Sequence, residues 1–157
     1  SKRIGLAYMV ALRSAGNEEV VSEYAGRAET SFKEYLEAQP QDVDIRNKLA
    51  VALLTKGSVM QAVQEFKSVV EEDPGNTEAL YHLGILSVQS GQFEKAEERF
   101  KAVIDLDSGN LESWYWLGYS LSQQGKKEEA KKVLIRGIEK ANDPETRAAM
   151  ESLLEDI

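Results

Sequence analysis

Three kinds of residue return along this chain at a fixed spacing of 34: Leu49, Leu83 and Leu117; Gly57, Gly91 and Gly125; Ala62, Ala96 and Ala130. A period of that length is one supersecondary unit repeated, so the chain is constrained to a stack in which each copy buries its apolar face against the next. Laying residues 43–76 on 77–110 gives nine identities, adding Phe66/Phe100, Lys67/Lys101, Val69/Val103, Asp73/Asp107, Gly75/Gly109 and Asn76/Asn110 to the three kinds above. A third copy, 111–144, keeps the small and apolar positions but carries Leu134 and Gly137 where the others have Phe and Val.

Within a copy the spacing is helical. Leu80, Leu83 and Ser87 form one stripe, and Ala96, Phe100 and Val103 form a second. Gly91 between them can take the positive φ that ends a helix. Each copy is therefore expected to be a helix hairpin, with Gly84 and Ala96 at the close crossing of the two helices and Phe100 and Val103 filling the space between hairpins. Asp73-Pro74-Gly75-Asn76 and Asp107-Ser108-Gly109-Asn110 are turn sequences that end one copy and start the next.

These residues resemble the tetratricopeptide pattern, Trp-x2-Leu-Gly-x2-Tyr followed by Ala-x3-Phe and a closing Pro. Trp114, Leu117, Gly118 and Ala130 match in one copy, Leu83, Gly84, Ala96 and Phe100 in another, and Leu49, Ala62, Phe66 and Pro74 in the first. Departures are Arg46 and Leu80 at the Trp place, Ala50 at the Gly place, and Leu53, Ser87 and Leu121 at the Tyr place. The resemblance implies an all-α fold, an α-solenoid of stacked antiparallel helix hairpins wound as a right-handed superhelix.

Upstream, Ala28, Phe32 and Pro40 keep the mutual offsets of Ala62, Phe66 and Pro74, and Ile4-Gly5-x2-Tyr8 resembles part of the first-helix motif. Residues 1–42 thus read as a degenerate hairpin lengthened by about 11 residues, with its tip at Gly16, an N-cap at Asn17 and a second helix from about Glu18 to Ala38. Downstream, Asp143-Pro144-Glu145 starts a last helix, and Ala148, Leu153 and Leu154 give it an apolar side. Residues 144–157 are expected to cap the array, and residues 1–157 to form a single repeat domain.

The composition fits a packed globular unit: 157 residues, 42% of them apolar, no Cys, and a net charge of −8. The run Ile4 to Leu12 after Lys2-Arg3 resembles a short signal or the end of a span. Nine residues fall short of the roughly 20 that cross a bilayer, so a packed helix is expected. The compartment stays open between cytoplasm and periplasm, with room for an anchor before residue 1.

Chemistry is sparse. His82 is the only histidine and there is no Cys, so neither a metal site nor a His- or Cys-based catalytic group is expected, and no cofactor or small-molecule substrate. Glu71-Glu72, Glu97-Glu98 and Glu128-Glu129 read as solvated helix faces. Asp105-x-Asp107 lacks the Gly and Glu spacing of a calcium loop. The basic stretch Lys126, Lys127, Lys131, Lys132, Arg136 and Lys140 is interleaved with Glu128 and Glu129 and has no aromatic partners, so nucleic acid is not expected to bind.

In the family that the chain resembles, first helices line a concave groove. Carried onto this sequence, that places Asn47, Lys48, Val51 and Leu54, then Tyr81, His82 and Ile85, then Tyr115, Trp116 and Tyr119 along one trough. Trp116, Tyr119, Ile85 and Leu54 are expected to bury a peptide segment or helix of a protein partner, with Asn47, Lys48 and His82 setting polarity. Tyr81 and Tyr115 fall at a place often used for packing. A carboxylate clamp, as in cochaperones that grip heat-shock chaperone termini, is excluded because Val51, His82, Glu112 and Trp116 replace its polar and basic groups. Two alternatives stand beside a free groove: Trp116 packs on the preceding repeat, or the N-terminal hairpin of the same or a neighbouring chain fills the trough. The second would make the protein a self-assembling scaffold that forms homo-oligomers through residues 1–42.

Overall fold

A computed structural model describes residues 2–12 and 16–157, and among them it contains nine helices and no strand. They are α1 (Lys2–Leu12), α2 (Glu18–Ala38), α3 (Val43–Thr55), α4 (Val59–Glu72), α5 (Thr77–Gln89), α6 (Phe93–Leu106), α7 (Leu111–Gln123), α8 (Lys127–Lys140) and α9 (Pro144–Glu155). The chain divides into two compact units, Ser1–Ala79 and Leu80–Ile157. In the first, α1 pairs with α2, α2 packs on α3, and α3 pairs with α4; in the second, α6 packs on α7, α7 pairs with α8, and α9 rests on both. The expected span of α2 and its Asn17 cap are observed, with Asn17 accepting from the Glu19 backbone at 2.8 Å. The rest of the proposed hairpin tip, residues 13–15, lies outside the described residues.

Local chemistry sets the breaks. Gly57, Gly91 and Gly125, the three residues that recur at the ends of first helices, are the described residues with positive φ (85°, 70° and 75°), a conformation that a Cβ would oppose. The two longer turns are built alike. Asp73 and Asp107 accept from the backbone of Gly75 and Gly109, and Asn76 and Asn110 then cap the following helices by accepting from Ala79 and Ser113.

Three of the four hairpins close over a missing side chain, the one of α3 and α4 having Ala50 at that place. A Cβ placed on Gly84 of α5 would lie 2.7 Å from the Phe100 ring of α6, one on Gly5 would lie 2.5 Å from Phe32 of α2, and one on Gly118 would lie 2.5 Å from Leu134 of α8. This corrects one expectation. Phe100 covers the glycine of its own hairpin rather than serving only the gap between hairpins, because the bare backbone of Gly84 leaves a hollow that the ring fills. The same packing explains the loosened third copy: Gly137 lies under the Met150 sulfur and the Trp114 Cβ, so a Val there would collide with both. Met150 is wholly buried while Ala148 is exposed. Leu153 and Leu154 pack on the core as expected, so the face of the capping helix stands and only its first contact changes, Met150 taking the place expected of Ala148.

Not every acidic pair is a solvated face. Glu98, Glu71, Glu72, Glu128 and Glu129 are exposed, but Glu97 is only 8% exposed, against Lys101 at the next turn of α6, Lys126 at 2.8 Å and the Gln124 amide at 2.8 Å. Burial alone would raise the pKa of Glu97. The two ammonium groups and the amide reverse that and hold it at about 2. Glu29 of α2 repeats the arrangement in the first unit, bonded to Lys33 at 2.7 Å and to Lys56, just past α3, at 2.9 Å. Its pKa is lowered too, burial being outweighed by the two lysines. Each carboxylate ties the second helix of one hairpin to the end of the next hairpin's first helix.

Two results follow for stability. Gly84→Ala should cost about 1–3 kcal/mol by forcing Phe100 aside, whereas Gly26→Ala, in the interior of α2 with open space around it, should add about 0.5–1 kcal/mol; urea unfolding of the two variants gives the opposite signs. A carboxylate with a lowered folded pKa stabilises above its unfolded pKa, and that contribution is lost as pH falls through the folded value. Glu97→Gln should therefore cost about 1–2 kcal/mol at neutral pH, the lysines being partly solvated, and the gap to wild type should close between pH 4.5 and about 2.

Candidate functional site

The second unit carries an aromatic face on its first helices. Residues 81, 82 and 85 of α5 and residues 115, 116 and 119 of α7 recur at helical spacing, so both sets emerge on one side of their helices. Tyr81, His82, Ile85, Tyr115, Trp116 and Tyr119 are all half-buried. Trp116 is braced edge-on by Tyr115 at 5.1 Å and by Tyr119 at 5.8 Å, and Tyr119 meets Phe93 of α6 at 6.2 Å. Tyr81 lies edge-on to His82 at 5.8 Å and to Phe100 at 6.0 Å. Edge-to-face packing of this kind fixes the rings while leaving their outer surfaces to solvent.

The other indole has a different role. Trp114 is 7% exposed and donates its ring N–H to the Ser108 carbonyl at 3.0 Å, which fastens α7 to the turn before it. Two tryptophans two positions apart on one helix thus differ in depth: Trp114 is buried in the core, and Trp116 packs at the edge of that core and stays half-buried.

Polar groups on this face are held in place. The Tyr81 hydroxyl donates to Glu112 in the first turn of α7. Burial, then the hydrogen bond to Glu112 and the charge of that carboxylate, raise the phenol's pKa well above its ordinary value, against a smaller opposing hydrogen bond from Trp116, so Tyr81 stays a donor at any working pH. Beside it, Glu112, Tyr115 and Trp116 of α7 and Glu145, Thr146 and Ala149 of α9 line an open hollow of about 370 Å³. The cap helix thereby forms one wall of the face.

The first unit has a smaller patch. Leu6, Met9 and Val10 of α1, Lys48 and Val51 of α3, and Glu78 line a hollow of about 310 Å³. Leu54 is half-buried on α3. Asn47, expected to meet a ligand, does not reach the surface: it is 1% exposed and its amide N–H groups donate to Asn76 at 2.8 Å and Glu78 at 3.2 Å. Its place in the 34-residue period is a surface Tyr in the next two copies. The shorter side chain instead turns toward the neighbouring turn.

Six of the ten residues expected to meet a partner are thus brought together in the second unit, and Lys48, Val51 and Leu54 lie in the first. Glu145, Thr146 and Ala149 were not expected, since α9 read as a solvating cap and its apolar residues pointed only to the side that covers the last repeat. Among the described residues no three His, Cys, Asp or Glu side chains are grouped to hold a metal ion, and no helix is long and apolar enough to cross a membrane.

Family models described as tetratricopeptide repeat match residues 15–77, 53–105 and 87–153. No curated protein matches the chain. Solved structures do: MamA from Desulfovibrio magneticus RS-1 (residues 41 to its end) is 16% identical over 97% of this chain and 92% of its own, with a TM-score of 0.68. Another MamA crystal structure is 19% identical over 99% and 87%, with a TM-score of 0.71. The first TPR of Spaghetti (RPAP3), bound to the HSP90 peptide SRMEEVD, is 18% identical over 74% and 93%, with a TM-score of 0.64. At these identities the likeness is one of fold.

The placement of Asn47 separates structure from binding. Asn47→Ala should lower stability by about 1–2 kcal/mol through its lost amide bonds and leave the affinity for any partner unchanged, as read by chemical unfolding beside a binding titration.

Proposed function

The chain belongs to the tetratricopeptide repeat family, and on that premise we propose that it is a non-enzymatic scaffold that binds an extended or helical segment of a protein partner on the aromatic face of α5 and α7. One observation carries the reading: Trp116 is held by Tyr115 and Tyr119 yet remains half open, while a second tryptophan, Trp114, already serves the core. A braced aromatic ring loses little freedom on binding and contributes a large apolar area, the usual properties of an interface anchor. The peptide bound by a protein of the same fold supports this mode of use. Tyr119, Ile85, His82 and the outer edges of Tyr81 and Tyr115 complete the surface. Lys48, Val51 and Leu54 give the first unit a patch of its own.

Selection from a displayed random-peptide library tests the reading. The wild type should enrich a family of peptides, and Trp116→Ala should weaken their binding by about 1 kcal/mol or more, roughly fivefold, with the helical circular-dichroism signal unchanged. Loss of helicity, or equal binding by the variant, would contradict it.

Self-assembly through the N-terminal hairpin has one observation in its favour. Ile4 and Val10 of α1 are 52% and 71% exposed, large apolar groups on a helix that is otherwise paired with α2. Tyr8 and Tyr24, by contrast, meet each other at 5.9 Å inside the hairpin. Association through α1 predicts a sedimentation-derived mass that rises with concentration and falls to the monomer in Val10→Asp; a constant monomer mass in the wild type rejects it.

A further inference from the structure

The hollow between α7 and α9 differs in character from the rest of the aromatic face. Two of its six lining residues are carboxylates, Glu112 in the first turn of α7 and Glu145 in the first turn of α9, and two are the rings of Tyr115 and Trp116. None of the six is basic, and neither carboxylate forms an ion pair with a described basic side chain. Arg147, the nearest cation on α9 in sequence, sends its guanidinium to the Ala141 carbonyl at 3.2 Å. Helix first turns tolerate a carboxylate without a counter-ion because the macrodipole is positive there. Glu112 is moreover fixed by the Tyr81 hydroxyl, through one oxygen, which leaves the other available.

We infer that this hollow receives a positively charged side chain, an arginine or a lysine, of the partner segment that the aromatic face binds. A planar guanidinium can stack on the Trp116 or Tyr115 ring and give N–H donors to Glu112 on one wall and Glu145 on the other, satisfying a charge that is only partly removed from water. An acidic side chain would meet two carboxylates and no donor of positive charge. Both carboxylates are exposed to solvent, so an apolar one would leave them in water and gain no charge pairing from them. Tyr81 is a positioning residue here, since it touches Glu112 rather than the ligand. The inference rests on the reading that the face binds a partner segment, and it specifies the chemistry of one residue of that segment.

Titration of the full chain with N-acetyl-arginine amide, its uncharged isostere N-acetyl-citrulline amide, and N-acetyl-leucine amide tests it, followed through the two indole N–H signals in a ¹H–¹⁵N spectrum. Trp116 is the reporter, and the buried Trp114 signal checks that the fold is intact. The arginine compound should shift the Trp116 signal saturably and bind roughly fivefold or more tightly than the citrulline compound. That preference should shrink to about twofold or less in Glu112→Gln and in Glu145→Gln, with the Trp114 signal unmoved in both. Tyr81→Phe should reduce the preference in part, by releasing Glu112 without removing its charge. Equal shifts by the arginine and citrulline compounds, or a stronger response to leucine, would overturn the cationic pocket and leave the aromatic face standing as an apolar binding surface. No saturable shift from the arginine compound would overturn the pocket as well, while selected peptides that still depend on Trp116 would keep the broader reading.

Discussion

The structure depends on how closely two antiparallel helices approach at the middle of each hairpin. At Gly5, Gly84 and Gly118 the first helix presents bare backbone, and the second lays Phe32, Phe100 or Leu134 onto it, nearer than any Cβ would allow. Such a crossing buries a large apolar group without a void and fixes the rotation of both helices about their axes. In the copy at 43–76 Ala50 takes the glycine's place, and it and Phe66 are still fully buried. Once rotation is fixed, the side of the first helix away from the crossing has to face outward. Ile85, Trp116 and Tyr119 are half-buried beside that packing, and Tyr81 borders the crossing itself, edge-on to Phe100.

Electrostatics acts on the seams between hairpins instead. Glu29 and Glu97 are each buried on a second helix and bonded to lysines from two segments, one on their own helix and one at the end of the following first helix. A buried carboxylate with one partner missing would be costly, so each trio favours one register between neighbouring hairpins. Charge and packing therefore divide the work, glycine contacts inside hairpins and ion clusters across two of the seams.

Much of this was legible in the residues themselves. The 34-residue period, the positive-φ glycines and the Asp-x-Gly-Asn turns are local signals, and each appears where its chemistry requires it; the long N-terminal hairpin could be read because Ala28, Phe32 and Asn17 keep recognisable roles. What the sequence hid depends on rotation and reach. Asn47 shares its place in the repeat with two surface tyrosines, and only its shorter length and the nearby Asn76 and Glu78 turn it inward. Glu97 looks like half of a solvated acidic pair until Lys126, 29 residues away, closes on it. Met150 of α9, and not Ala148, enters the core because the large Trp114 and the small Gly137 together leave a slot that it fits, and Thr146 and Ala149 lie beside Trp116.

The central claim is that a partner segment lies on the face made by α5, α7 and α9, away from the glycine crossings. Photo-crosslinking tests it most directly: a library-selected peptide carrying p-benzoylphenylalanine at successive positions is irradiated on the protein, and the adducts are mapped by mass spectrometry. The account predicts adducts at Tyr81, His82, Ile85, Tyr115, Trp116, Tyr119 and the neighbouring first turn of α9. Adducts concentrated on the outer helices α6 and α8, around Glu98, Lys132 or Arg136, would contradict it.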